Sequence, residues 1–146
     1  MSLYRPPITV LGATHYEHQP RAYLNVTPTQ NSWYTVLDTT ENVLLIWVRV
    51  KQTNDGAAAK SLAVRITVDG RTAQSGLVSC ANNTNYFCYI TEQEAVVVTT
   101  DVYNAGRYVA WHAKSAKVEV QFGDVPGTNQ SLIAYVGYAK LRATTI

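Results

Sequence analysis

From Leu62 to Val68 the chain alternates strictly: Leu62, Val64, Ile66 and Val68 are apolar, and Ala63, Arg65 and Thr67 stand between them. Side chains leave a β-strand on opposite faces with a period of two. The pattern therefore predicts a strand with one face in a core and the other in water. Asp69-Gly70 closes the strand, and this pair readily takes the positive φ angles of a two-residue hairpin turn. Arg71–Ser79 is thus expected to run back antiparallel. A chain built around this unit is committed to a sheet.

Val43–Val50 adds a second constraint, being apolar without a break until Arg49. Simple alternation puts Leu44, Ile46, Val48 and Val50 on one face and Val43, Leu45 and Trp47 on the other. Arg49 and Lys51 then turn the second face polar. A strand of this kind is expected to lie centrally in its sheet and to leave the core at its second end. Further strands are predicted at Ala22–Val26, Trp33–Leu37, Tyr86–Thr91, Ala95–Thr100, Arg107–Ala113, Val118–Phe122 and Leu132–Leu141. The run Gly56–Lys60 is too short for an independent helix, and Gly123–Asn129 is rich in chain-breaking residues and reads as a loop.

Composition agrees, with 15% charged residues, ten Tyr and three Trp. Aromatic and β-branched side chains suit a pleated, half-buried surface. The expectation is an all-β protein, an antiparallel, jelly-roll-like β-sandwich of about 8–10 strands. Residues 1–20 read as an N-terminal arm or loop and residues 21–146 as a single sandwich domain.

Several function classes find no support. Net charge is +2 and no Lys or Arg run appears, so a nucleic-acid partner is not expected. No apolar stretch reaches the ~18–20 residues of a membrane-spanning helix, and the first residues lack the order of a secretory signal. His15-Tyr16-Glu17-His18 falls between Gly12 and Pro20 and reads as an exposed loop. On a strand its two imidazoles would point to opposite faces, so no metal site is expected. Glu92, Glu94 and Asp101 invite comparison with a carboxylate pair for glycoside hydrolysis, yet Thr91–Glu94 reads as a solvated turn. No nucleophile elbow, phosphate loop or dinucleotide fingerprint is present. The chain is expected to be non-enzymatic and to need no cofactor.

Cys80 and Cys88 flank seven residues. In a hairpin centred on Thr84 they would face each other on one side, close enough for a disulfide. The alternative, two reduced and half-buried thiols, is the expectation. Tyr86, Tyr89, Tyr103, Tyr108 and Trp111 fall in one half of the chain, beside Asn82, Asn83, Asn85 and Asn104. Aromatic faces supply contact area and amides supply hydrogen bonds, so these five residues are the candidate contact surface, unless they are core aromatics.

The order Ser32-Trp33-Tyr34-Thr35-Val36-Leu37, then Leu44-Leu45-Ile46-Trp47-Val48-Arg49-Val50, then Val64-Arg65-Ile66-Thr67-Val68-Asp69-Gly70 resembles a pattern in phage and prophage virion proteins. Those families include jelly-roll-like tail, tail-fibre and capsid-associated domains, and Ser131–Tyr138 fits the pattern loosely. The resemblance implies a structural protein of a phage particle, assembled in the host cytoplasm. It would act as a homo-oligomer, with a trimer favoured, and would touch other virion proteins or a surface glycan. The alternative is an extracellular carbohydrate-binding or adhesin-type module.

Overall fold

The computed structural model describes residues 14–91, 93–100 and 111–143. Among these the chain is built of strands: β1 (Thr14–His18), β2 (Ala22–Val26), β3 (Trp33–Thr39), β4 (Val43–Thr53), β5 (Lys60–Val68), β6 (Arg71–Gln74), β7 (Val78–Cys80), β8 (Tyr86–Ile90), β9 (Val96–Thr99), β10 (Trp111–Ala113), β11 (Ala116–Phe122) and β12 (Ser131–Ala143). They form a seven-stranded and a five-stranded antiparallel sheet, packed face to face as a β-sandwich.

The pairing is nested. β2 pairs with β12, β3 with β11, β4 with β8 and β5 with β6. The chain thus behaves as one long antiparallel ribbon, its first half lying against its second, wrapped so that successive ribbon segments fall in alternate sheets. That wrapping is the jelly roll. β4–β12 and β5–β11 ladders join the wrapped segments into sheets. The remaining strands extend existing lines: β1 continues β2 along β12, β10 continues β8 along β4, and β7 continues β6 along β5. β9 lies outside β8.

The Leu62–Val68 expectation holds for the core face, where all four apolar residues are buried; on the other face Arg65 and Thr67 are half-buried and Ala63 is buried. Asp69 and Gly70 have φ of 50° and 83°, the mirror-image turn that matches the twist of a hairpin. Asp69 also ties this turn to the next one, because its Oδ1 accepts the backbone N–H groups of Lys114 at 2.7 Å and Ser115 at 3.0 Å. The returning strand breaks at Ser75. There the backbone N–H of Ser75 donates to Val64 O, and its hydroxyl accepts from the Val64 N–H.

β4 lies centrally, as its sequence predicts, but the expected assignment of its faces is corrected. A register shift opposite Gly137 and Tyr138 makes Ile46 an extra residue on β4. A bulge of this kind reverses the alternation beyond it. Val43 and Leu45 face the core before the bulge, and Val48, Val50 and Gln52 face it afterwards. The strand therefore does not leave the core at its second end. Trp47, Arg49 and Lys51 point outward together.

Two further expectations are corrected. His15–His18 is not a loop but part of β1, which is held to β12 from Thr14↔Ala143 to His18↔Ala139. Cys80 and Cys88 do not share a hairpin. Cys80 pairs with Lys60 in the five-stranded sheet, and Cys88 pairs with Val48 and Val98 in the seven-stranded one. The segment between them crosses from one sheet to the other, and both cysteines are buried free thiols.

At one end, the loops after β4, β7 and β11 are closed by amides. Gln52 is fully buried. Its Nε2 donates to Ala58 O and Cys80 O, and its Oε1 accepts from Asn54 Nδ2 at 2.9 Å and Gln130 Nε2 at 2.8 Å. Asn82 accepts the Asn54 backbone N–H. The result is a saturated network, in which each buried polar atom of Gln52 has its partner.

Candidate functional site

The outward face of the seven-stranded sheet departs from the rule for a water-facing side. An antiparallel sheet with one solvated face alternates apolar-in and polar-out. Here the outward positions include Leu44 and Trp47 on β4, Phe87 and Tyr89 on β8, Val97 on β9 and Ile133 and Tyr135 on β12, all of them half-buried. Among the described residues no second layer lies over them.

Register collects them. Tyr135 stands opposite Tyr23 on one side and Arg49 on the other; Arg49 in turn stands opposite Phe87, and Phe87 opposite Thr99. One transverse row thus crosses five strands. The Tyr23 and Tyr135 rings meet at 5.1 Å with a 44° tilt. The guanidinium carbons of Arg21 and Arg49 each lie 4.3 Å from the Tyr135 ring centre, and that of Arg49 also lies 5.6 Å from Trp47. These distances suit cation–π contact. Asn25 Nδ2 donates to the Tyr23 hydroxyl at 3.2 Å, fixing a ring that is 56% exposed.

In the neighbouring row Trp47 stands opposite Gly137. The indole lies against the glycine backbone, so a side chain at 137 would collide with it. Further along, Tyr16 from β1 and His112 from β10 reach toward each other across β12 and β4, and their rings meet edge to face at 6.0 Å. Ala139, which lies in this stretch of the outward face, is only 1% exposed.

Electrostatically the two outer faces differ. On the five-stranded sheet, Arg65 forms a two-point pair with Glu119 at 3.0 and 2.9 Å, and its guanidinium carbon lies 4.0 Å from the Trp33 ring centre. Lys117 approaches the same carboxylate. The Arg65 hydrogen bonds hold the Glu119 carboxyl below the usual carboxylate range, against the opposing effect of burial. On the seven-stranded sheet, Arg21, Arg49 and Lys51 make no ion pair or hydrogen bond with a described residue. The Arg49 Nε is shut off from water without a partner.

The five aromatics singled out from the sequence do not come together as a set. Tyr86 turns inward, packs against the core and accepts the Ala81 N–H at its hydroxyl. Tyr89 lies half-buried on the outward face. Trp111 belongs to β10 beside Leu45, and Tyr103 and Tyr108 lie outside the described residues. The face is composed instead of Tyr23, Trp47, Arg49, Phe87 and Tyr135, which are scattered along the chain and gathered by strand pairing. Of the asparagines beside the expected surface, Asn82 accepts the Asn54 N–H and so holds the fold.

A concavity of about 220 Å³ opens between the sheets near the β5–β6 turn. Ile66, Val68, Ala73 and Ile90 line it, and an Arg71–Glu94 ion pair spans the two sheets beside it. Glu94 is thereby committed to Arg71, and its sequence neighbours in the carboxylate reading, Glu92 and Asp101, lie outside the described residues. His15 and His18 leave β1 on opposite faces, as the strand period requires. Among the described residues no group of three His, Cys, Asp or Glu gathers in metal-ligand geometry, and no helix is long and apolar enough to cross a membrane.

Compared with known proteins, the chain matches no protein-family model and no curated protein.

Proposed function

We propose that the protein is a non-enzymatic contact protein whose working surface is the outward face of the seven-stranded sheet. The observation that carries this is the aromatic and aliphatic lining from Tyr23 through Tyr135 and Trp47 to Phe87 and Val97, half-buried except for the exposed Tyr23 and crossed by Arg49 between Tyr135 and Phe87. Contiguous apolar surface of this kind marks an interaction site in a soluble protein. The first occupant is another copy of the chain, in a homo-oligomeric assembly such as the phage or prophage particle that the sequence pattern resembles. Light scattering at low micromolar concentration tests the reading, with a stable oligomer expected. Ile133→Lys, an outward change beside Lys51, is expected to give monomers with an unchanged circular dichroism spectrum. A wild-type protein that is monomeric at every concentration would overturn self-assembly.

A second reading is favoured by Tyr23 and Asn25 on the edge strand β2, where an exposed ring and an amide stand beside the half-buried Tyr135 of β12. This is the equipment of a saccharide-binding face. A glycan array on which the chain binds nothing would remove it.

A further inference from the structure

We infer that the cavity between the sheets at the β5–β6 turn is a binding site for a small uncharged aliphatic molecule, and that the Arg71–Glu94 ion pair is the gate to it.

The cavity lies along one margin of the sandwich. Among the described strands β6 is terminal in the five-stranded sheet and β9 in the seven-stranded one. Both sheets build the walls, with Ile66 and Val68 from β5, Ala73 from β6 and Ile90 from β8. Ile66 stands opposite Ala73, and Val68 opposite Arg71. Arg71 thus shares a face with Ala73, at the margin, and from there it reaches Glu94 in the β8–β9 turn.

Size and polarity choose the ligand. An apolar cavity of about 150 Å³ holds a benzene-sized molecule, so a volume of about 220 Å³ suits a chain of about six to eight carbons. The polar lining residues Asp69, Arg71, Thr72 and Glu94 are exposed, whereas Ile66, Val68 and Ala73 are buried. The site therefore has a polar rim and an aliphatic floor. The rim is already engaged: Asp69 Oδ1 accepts from Lys114 and Ser115, the Thr72 hydroxyl meets that of Thr67 at 3.0 Å, and Arg71 holds Glu94. A charged ligand would have to displace one of these partners and shed water against aliphatic walls. An uncharged chain, with at most a hydroxyl at the rim, meets neither obstacle.

Entry requires the gate. Ile66 is 1% exposed and Val68 and Ala73 are each 5% exposed, so the floor is shut while the ion pair is made. The two side chains remain 70% and 45% exposed, and an ion pair so placed contributes little. It therefore opens readily. Glu94 also has a φ of 59°, in a turn closed by hydrogen bonds from Thr91 N to Ala95 O and from Glu94 N to Thr91 O. Glycine fits this left-handed conformation without strain. A side chain is carried here against the preference of the turn, and what it does is bridge the cavity. Strain held at one residue in this way marks a role beyond the fold.

The test is titration of the full chain with hexanol, followed by methyl-resolved NMR. Saturable shifts confined to the methyl groups of Ile66, Val68, Ala73 and Ile90 are expected. Ala73→Leu fills the floor and should weaken binding about tenfold or more. Ile90→Phe fills it from the other sheet, and serves if the first variant does not fold. Hexanoate should bind more weakly than hexanol by about the same factor. Glu94→Gly relieves the turn and removes the gate, so exchange of hexanol should become severalfold faster. Shifts that never saturate, or that spread to Val97 and Ile133, would show the alcohol coating the outward face and would overturn the inference. Hexanoate binding as tightly as hexanol would overturn the uncharged class, and exchange unchanged by Glu94→Gly would overturn the gate. The absence of any shift would overturn the site itself.

Discussion

The indole of Trp47 rests on the backbone of Gly137. A Cβ built at 137 would overlap Cε2 and Nε1 of the ring and lie 2.7 Å from Cδ1. The glycine is needed for this approach across the strands, and the ring in turn covers backbone that a glycine leaves bare. Gly137→Ala should therefore displace Trp47 and cost about 1–3 kcal/mol, the usual range for overpacking. Urea denaturation gives the loss, and a red shift of native tryptophan fluorescence reports the displacement. An alanine variant with wild-type stability and emission would show that the ring does not need this seat.

Gln52 should be the most sensitive polar residue of the sandwich. Gln52→Met keeps the shape but takes one hydrogen bond each from Asn54, Gln130, Ala58 O and Cys80 O, while Asn54 keeps Ala58 O and Gln130 keeps Thr53 O. A loss of about 1–3 kcal/mol is expected by urea denaturation. A loss below 1 kcal/mol would mean that water reaches the loops and replaces the amide.

Acid should weaken the sheet through Glu119. Its carboxyl titrates below the usual range in the folded chain because Arg65 hydrogen-bonds to the charged form. The unfolded chain titrates near ~4.3. The unfolded state thus takes up protons first as pH falls, so the contribution is fully present above about pH 5 and is lost below it as the folded carboxyl protonates. Glu119→Gln should cost stability at pH 7 and little at pH 3. A wild-type-to-variant difference that stays constant between those values would refute the linkage.

The thiols should be silent. Burial pushes Cys80 up to about 12, and burial, reinforced by the neighbouring Cys80, raises Cys88 as well. The thiolate is the nucleophile, so at pH 8 a disulfide-forming reagent should react with the native chain only as fast as it opens. In denaturant without reductant both cysteines should react at once. Immediate labelling of the native chain would place a thiol at the surface, against the burial described above. Because the folded thiols hold their protons longer than unfolded ones, stability should also decline as pH rises past about 8.5.

The strands with one dry face were legible, because alternation is a local signal that each such strand carries alone. Leu62–Val68 and Val118–Phe122 are of this kind. Val43–Val50 was legible as a strand but not in its facing, since an unbroken apolar run contains nothing that locates a bulge. β1 was missed because His15-Tyr16-Glu17-His18 is polar and its pairing partner is β12, far along the chain. The cysteines misled for the opposite reason: nearness in sequence suggested a hairpin, while each is paired to a distant strand. The contact face was hidden in the same way. Tyr23, Trp47, Arg49 and Tyr135 form no cluster in the sequence, whereas Tyr86, Tyr89 and their neighbours do. Only register brings the first set together.

The nested pairing has a consequence for how such a chain acquires its shape. β12 is hydrogen-bonded to β1, β2 and β4, so among the described strands β1 and β2 have no partner, and β4 lacks one of its flanks, until β12 has been made. Among the described strands β5–β6 and β8–β9 are the pairs closest in sequence, and the outer turns of the roll lie around them. Pairings between ends so far apart are slow to find. Until the last strand arrives, the apolar length of β4 has one flank open. A nascent chain of this design carries that exposed flank through the whole interval between making β4 and making β12.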